Sequence, residues 1–313
     1  MNSYVSKIRL PPLPSIRDLV KLYKLRAIKQ LSQNFLMDER LTDKIVKAAG
    51  TLTDHYVCEV GPGPGGISRS IIKKAPKKLI LVEKDPRFLP SLMLLKESCL
   101  NYTSINIDID DILKYNLQRA LEGAPKMDWT HAPPPIHLIG NLPFSVSTIL
   151  IIKWLEAISE KKAAWAYGRT SMTLTFQKEV AERMVAQPYD KVRSFVPKPD
   201  VDVGVVTLIP LKKALIDMPF SQVEKVVRTI FNTRQKYCMK GAQKLFPAEQ
   251  TEYLTTRLFV LANVNPTTRS YQLTNEDFVR LCYAYKIICD EYPAVQSFDY
   301  RASKGIDIEP GCN

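Results

Sequence analysis

What this 313-residue chain lacks sets the first bounds on it. Its six cysteines (Cys58, Cys99, Cys238, Cys282, Cys289, Cys312) form no CxxC pair, and its three histidines (His55, His131, His137) never cluster. That excludes a zinc site and a secreted disulfide scaffold, and predicts free, mostly buried thiols in a reducing compartment, with no metal. No apolar run approaches the ~20 residues of a membrane helix, so no spanning segment is expected. No internal repeat is evident. Acid is short: 32 Asp and Glu stand against 44 Lys and Arg, a net charge of +12. Such a balance favours polyanions, either nucleic acid or an anionic membrane surface, and charge alone does not choose. The 45% apolar content is ordinary for a globular chain with a sizeable core.

The shortage of acid is sharpest in residues 1–30, where seven basic residues accompany the single acid Asp18. This segment reads either as a mitochondrial transit-like end or as a basic helix that belongs to the fold or touches RNA. From about Ser15, Leu19, Leu22, Leu25 and Ile28 recur at helical spacing and predict one apolar face. A helix near Arg40 to Ala49 follows. Strand-like and helix-like runs then alternate: "YVCEVG", "GGISRSIIKKA", "KLILVEKD", "RFLPSLMLLKES", "SINIDIDD", "IHLIG", "STILIIKWLEAIS", an extended-looking "MTLTFQKEVAERM", and "VDVGVVTLIPL". Alternation of this kind predicts a doubly wound parallel α/β sheet. From about Pro219 the periodicity is purely helical, and the tail after Tyr300 is expected to fray.

"EVGPGPGG" places Gly61, Gly63, Gly65 and Gly66 at a strand–helix junction, with Glu83 at the end of the next strand. This satisfies G-x-G-x-x-G with an acid for ribose hydroxyls, and by itself it fits NAD or S-adenosylmethionine equally. The neighbours shift the balance towards S-adenosylmethionine. Glu59 puts a carboxylate where a cationic amino or sulfonium group could lie and where a pyrophosphate would be repelled. Asp111, after the third strand, offers an acceptor to an adenine amino group. An oxidoreductase has no hydride-transfer partner here beyond the shared glycines.

The fourth strand ends in "IGNLPFSV", residues 139–146. Adenine N6 is a poor nucleophile because its lone pair is delocalised into the ring. The Asn141 amide oxygen and the Leu142 carbonyl can accept its two hydrogens, Pro143 turns that carbonyl outward, and Phe144 stacks on the base. A base reaching such a clamp must be single-stranded or extruded.

"QLSQNFLMD", "EVGPGPGGISRSI", "LVEKD", "IGNLPFSVST", "TFQKEVAERM", "FVPKPDVDVGVV" and "RQKYCMKG", in this order, resemble the ribosomal RNA adenine N6-dimethyltransferase family, in its mitochondrial dimethyladenosine transferase 1 branch. The resemblance runs from about Leu10 to Tyr300. It implies a Rossmann-like S-adenosylmethionine-dependent methyltransferase sheet over residues 31–213, preceded by the basic segment 1–30 and followed by a small helical RNA-contacting domain, 214–300, and a tail, 301–313. It implies dimethylation of two adjacent adenines in a small-subunit (mitochondrial 12S-type) rRNA hairpin loop, in support of ribosome assembly. The protein would be a matrix monomer that acts on rRNA or a pre-ribosomal subunit, with a link to the mitochondrial transcription machinery and no membrane.

By motif, the implied cofactor contacts are Gln33, Asn34, Leu36, Gly61, Gly63, Glu83, Lys84, Asp111, Ile112 and Asn141. Asn141, Leu142, Pro143 and Phe144 form the catalytic turn. Phe144, Phe231, Arg234 and Lys236 meet the substrate, and Arg228, Lys240 and Lys244 join the basic N-terminal helix in a phosphate footprint. Two departures stand out. Arg234–Gln235 replaces the family's adjacent arginines, which weakens one phosphate contact. About thirty residues of the family pattern are also missing between Arg183 and Phe195, which would strip an edge element from the sheet. A non-catalytic nucleic-acid-binding factor on the same scaffold is the alternative function that this loss raises.

Overall fold

The computed structural model describes residues 10–25, 36–142, 144–185 and 203–300, without the side chains of Phe144 and Ser145. The chain divides into two compact units, one running through residue 213 and the other beginning in earnest at Ala214.

The first unit opens with α1 (Ile16–Leu22), capped by the Ser15 hydroxyl on the Asp18 amide. Leu19 and Leu25 are buried, but Leu22 is exposed, because the helix stops there and Lys24 turns with a positive φ. The predicted face of four residues is therefore interrupted, and Ile28 lies outside the described residues. Next come α2 (Glu39–Ala48), β1 (Tyr56–Val60), α3 (Gly66–Ile72), β2 (Lys78–Glu83), α4 (Leu89–Ser98), β3 (Ser104–Ile109), α5 (Leu117–Ala120), β4 (Ile136–Asn141), α6 (Phe144–Ser159), β5 (Ser171–Gln177), α7 (Lys178–Val185) and β6 (Val203–Leu208). The run "MTLTFQKEVAERM" is thus extended only through Gln177, after which α7 begins.

The strands form one sheet in the order β3-β2-β1-β4-β5-β6. All neighbours are parallel except β5 and β6, so the sheet is mixed rather than wholly parallel. Because side chains alternate between faces along each strand, Val57, Leu79, Leu81 and Ile139 pack with Ile45, Ile71 and Leu92 of α2, α3 and α4. Cys58, Val60, Ile80, Leu138 and Leu174 pack with Leu117, Leu150 and Trp154 of α5 and α6. Strands buried on both faces explain the near-continuous apolar runs. At ~25 cal/mol per Å2 of apolar surface removed from water, these two layers are the main stabilising term.

Strand order reverses between β1 and β4, and a crevice at such a switch point is where open α/β sheets bind ligands. The second unit contains α8 (Phe220–Phe231), α9 (Cys238–Ala242), α10 (Thr251–Ala262), α11 (Asn275–Glu291) and α12 (Pro293–Ser297) around a core that includes Ile230, Cys238, Leu258, Leu281 and Tyr285. Cys58, Cys99, Cys238, Cys282 and Cys289 are free and buried, as expected, while Cys312 lies outside the described residues. Among the described residues no helix is long and apolar enough to cross a membrane.

Candidate functional site

Strand register aligns the candidate residues. Val60 pairs with Val82 on one side and with Gly140 on the other, so Glu83, Gly61 and Asn141 each sit one step beyond a matched trio. Asn141 in turn pairs with Thr175. Four positions therefore align in one row at this edge of the sheet: Glu83 and Asn141, which end β2 and β4, Gly61, just past β1, and Thr175, two residues before the end of β5.

Gly61, Gly63 and Gly65 all have positive φ, a region costly for residues with a Cβ. In front of Gly61 there is open space, with nothing within 4 Å of where a Cβ would lie. Gly65 instead backs onto Leu92 and Leu95, which serves helix packing. A Cβ on Gly66 would come within 3.0 Å of the Leu36 carbonyl oxygen, so Leu36 lies against the glycine turn. Gln33 and Asn34 fall outside the described residues.

Two carboxylates stand behind this turn. Glu83, almost fully buried, accepts from the Gly63 amide at 2.9 Å on one oxygen and from the Asp85 amide at 2.9 Å on the other. Burial raises its pKa, against the pull of those amides. Glu59, 1% exposed, accepts the Ser68 hydroxyl at 2.6 Å on Oε2, while its Oε1 is buried with no partner. Burial, with the Glu83 charge adding to it, pushes Glu59 up to about 8 despite the Ser68 bond.

Beyond β3, Asp111 holds the Lys84 ammonium at 2.8 Å on Oδ2 and the Leu113 amide at 3.0 Å on Oδ1. Burial would raise its pKa, but Lys84 and the Leu113 amide outweigh that and lower it. The adjacent Ile112 is half-buried against the core. On β4, the Asn141 amide oxygen accepts from the Thr175 hydroxyl, and Thr175 is buried. Leu142 anchors its side chain in the core. Pro143 and the Phe144 side chain lie outside the described residues. In the second unit, the Phe231 ring stacks on Phe278 at 5.2 Å between centroids, and Arg234 and Lys236 are exposed.

Sequence reasoning missed Ser68 and Thr175, the two hydroxyls that orient Glu59 and Asn141. Their signal was weak, since a serine in a helix and a threonine in a strand are ordinary there.

An unpartnered buried carboxylate oxygen, open space before a positive-φ glycine, and a strand-end acid fit a ligand with a cationic end and sugar hydroxyls. Fold and crevice together define a Rossmann-like, nucleoside-binding α/β protein. Within that class, the chain belongs to the ribosomal RNA adenine dimethylase family, which matches residues 24–194.

Its relatives include the mitochondrial dimethyladenosine transferase 1 of Homo sapiens, 49% identical over 95% of this chain and 92% of that one. The Xenopus tropicalis counterpart is 48% identical over the same shares. That of Drosophila pseudoobscura pseudoobscura is 49% identical over 97% of this chain and 95% of its own. This last alignment spans 328 positions, more than the 313 residues of the chain, so the relative carries residues that this chain lacks. The crystal structure of a dimethyladenosine transferase from Plasmodium falciparum matches with a TM-score of 0.57 at 21% identity, covering 81% of this chain and 98% of that one, and agrees on the fold.

Proposed function

We propose that this chain dimethylates N6 of two adjacent adenines in a small-subunit rRNA hairpin loop in the mitochondrial matrix. Its family and its relatives already make it a mitochondrial S-adenosylmethionine-dependent rRNA adenine dimethyltransferase. The observation that carries the finer reading is the aligned row in which Asn141 stands directly beside the glycine turn.

When bound, S-adenosylmethionine supplies an electrophilic methyl group. Gly61 would let the backbone come close to it, Glu59 would meet its cationic end, and Glu83, which keeps spare lone pairs after its two amide bonds, would accept ribose hydroxyls. By the family motif, Gln33, Asn34, Leu36, Gly63, Lys84, Asp111 and Ile112 would supply the further cofactor contacts. Asn141 and the Leu142 carbonyl accept the N6 hydrogens, drawing the nitrogen lone pair out of ring conjugation and aiming it. Thr175 holds the Asn141 amide in that orientation. By the same motif, Pro143 and Phe144 would supply the turn and the ring that stacks on the base. Phe231, Arg234 and Lys236 meet the RNA from the helical unit, and the protein acts as a monomer on rRNA or a pre-ribosomal subunit. The mitochondrial transcription machinery is a further partner that the family branch implies.

The test is methyl transfer from labelled S-adenosylmethionine to the rRNA hairpin, with dimethyladenine read by mass spectrometry. Product from the wild type and none from Asn141→Ala supports the proposal. A folded, cofactor-binding wild type without product favours instead a binding protein on this scaffold, the reading to which the shortened chain lends weight.

A further inference from the structure

We infer that the helical unit carries a stacking platform for unpaired RNA bases, built on Tyr237, Arg269 and Tyr271. The inference rests on the RNA-modifying reading above and adds to it a base-binding surface outside the methyl-transfer crevice.

Two loops of this unit are locked together. The backbone of Tyr237 forms an antiparallel bridge with Arg269. Next to it the Cys238 amide donates to the Thr268 carbonyl at 2.8 Å, and the Met239 amide to that of Pro266 at 3.3 Å. Ser270, fully buried, donates its hydroxyl to the Ile230 carbonyl at 2.9 Å. Gly241 lets α9 close on the end of α8, since a Cβ there would lie 2.6 Å from the Ile230 oxygen. Such a base leaves its outward side chains little freedom to lose on binding.

What this base presents outward is aromatic and cationic. Tyr237 is 50% exposed and Tyr271 40% exposed, although rings of this size usually bury most of their surface. Arg234, Lys236 and Lys240, within three residues of Tyr237 in sequence, and its bridge partner Arg269 are exposed, and none makes an ion pair among the described residues. The contrast lies on α10. There Tyr253 and Val260 are also exposed, but Arg257 beside them is bound to Glu291. Aromatic faces coupled to unneutralised cations suit single-stranded nucleic acid, in which each phosphate meets a cation and each base offers a face. A duplex hides those faces in its own stack.

The experiment measures binding of the full chain to an unstructured RNA oligonucleotide and to the same sequence in a duplex, across a salt series. Tyr237→Ala and Tyr271→Ala should each weaken single-strand binding about ten-fold, with the slope against salt unchanged and Phe at either position restoring affinity. Lys236→Gln combined with Arg269→Gln should instead flatten the slope. Unaltered affinity in both alanine variants, equal loss on duplex and single strand, or failure of Phe to restore would each overturn the platform. Unaltered RNA binding would leave the exposed rings to a protein partner. Cofactor affinity and thermal melting, measured alongside, should match the wild type. A wild type that yields no dimethyladenine while the tyrosine variants still lose RNA affinity would sink the methyl-transfer reading and keep the platform. Normal product with unaltered RNA affinity would do the reverse.

Discussion

Ser68 gives its hydroxyl to one oxygen of Glu59, and the other oxygen of that carboxyl, just as deeply buried, has no partner. The carboxyl is held ready for a cation but protonated in its absence, with its pKa near 8. Binding a cationic ligand beside it must expel that proton. Cofactor affinity should therefore rise from about pH 6 towards about pH 8 in the wild type and stay flat in Glu59→Gln. Calorimetry in buffers of different ionisation enthalpy should detect the released proton. For the free protein the sign is opposite. A carboxyl easier to protonate when folded loses stability as pH rises from 4.5 to about 8, and the Gln variant should lack that decline.

Thr175 acts through Asn141 as a positioning residue. Thr175→Val keeps the volume and removes the bond to the amide oxygen. kcat should fall about ten-fold or more with KM for RNA little changed, and Thr175→Ser should restore it. Steady-state kinetics of the three proteins decide this, and an unchanged kcat in the valine variant would dismiss the role.

Glu83 ties the glycine turn to the start of the segment after β2 through the Gly63 and Asp85 amides. Glu83→Ala leaves both amides without an acceptor, so cofactor affinity should drop about 10- to 100-fold. Glu83→Gln, which keeps one acceptor oxygen, should fall between. Equilibrium dialysis with labelled cofactor reads the order of the three.

Gly204 faces Ala181, and a Cβ there would lie 2.3 Å from the Ala181 Cβ. Gly204→Ala should destabilise the first unit by about 1–3 kcal/mol, as overpacking does. The denaturation midpoint measures it, while cofactor affinity under native conditions should hold, since β6 lies beyond the strands of the site.

His137, buried in β4, shares a hydrogen bond with the Thr173 hydroxyl at 2.9 Å. Burial, aided by His55, pushes its pKa down to about 4. The folded state therefore keeps it neutral where the unfolded chain would charge it. Stability should decline as pH falls from 6.5 to about 4, and His137→Gln should remove that part of the profile in a urea titration repeated across pH.

The glycine turn, the strand-end acid Glu83 and the strand-end amide Asn141 were legible because local spacing and strand alternation placed them. The acid at position 59 was legible too, but not the burial that keeps Glu59 protonated or its bond to Ser68, which need β1 and α3 to be packed. Leu22 fitted a helical face on spacing, yet α1 ends at that residue. The turn from strand to helix at Gln177 was hidden because threonine and phenylalanine run into a segment with no glycine or proline to mark the change. The reversal of β6 was equally hidden, since direction depends on the connection rather than on any residue within the strand.

That reversal has a consequence for how the chain tolerates change. Gln177 closes β5 and Val203 opens β6, and the two face each other in the ladder. The chain thus leaves the sheet and rejoins it at facing positions of the ladder, so the two ends of the connection between β5 and β6 are already pinned together. Lengthening or trimming such a connection shifts no register, and closure entropy changes by only about 0.6 kcal/mol for each doubling of its length. An element can be gained or lost there while the row from Glu83 to Thr175 keeps its alignment. The sheet has a place where evolution can edit length without rewriting the machinery.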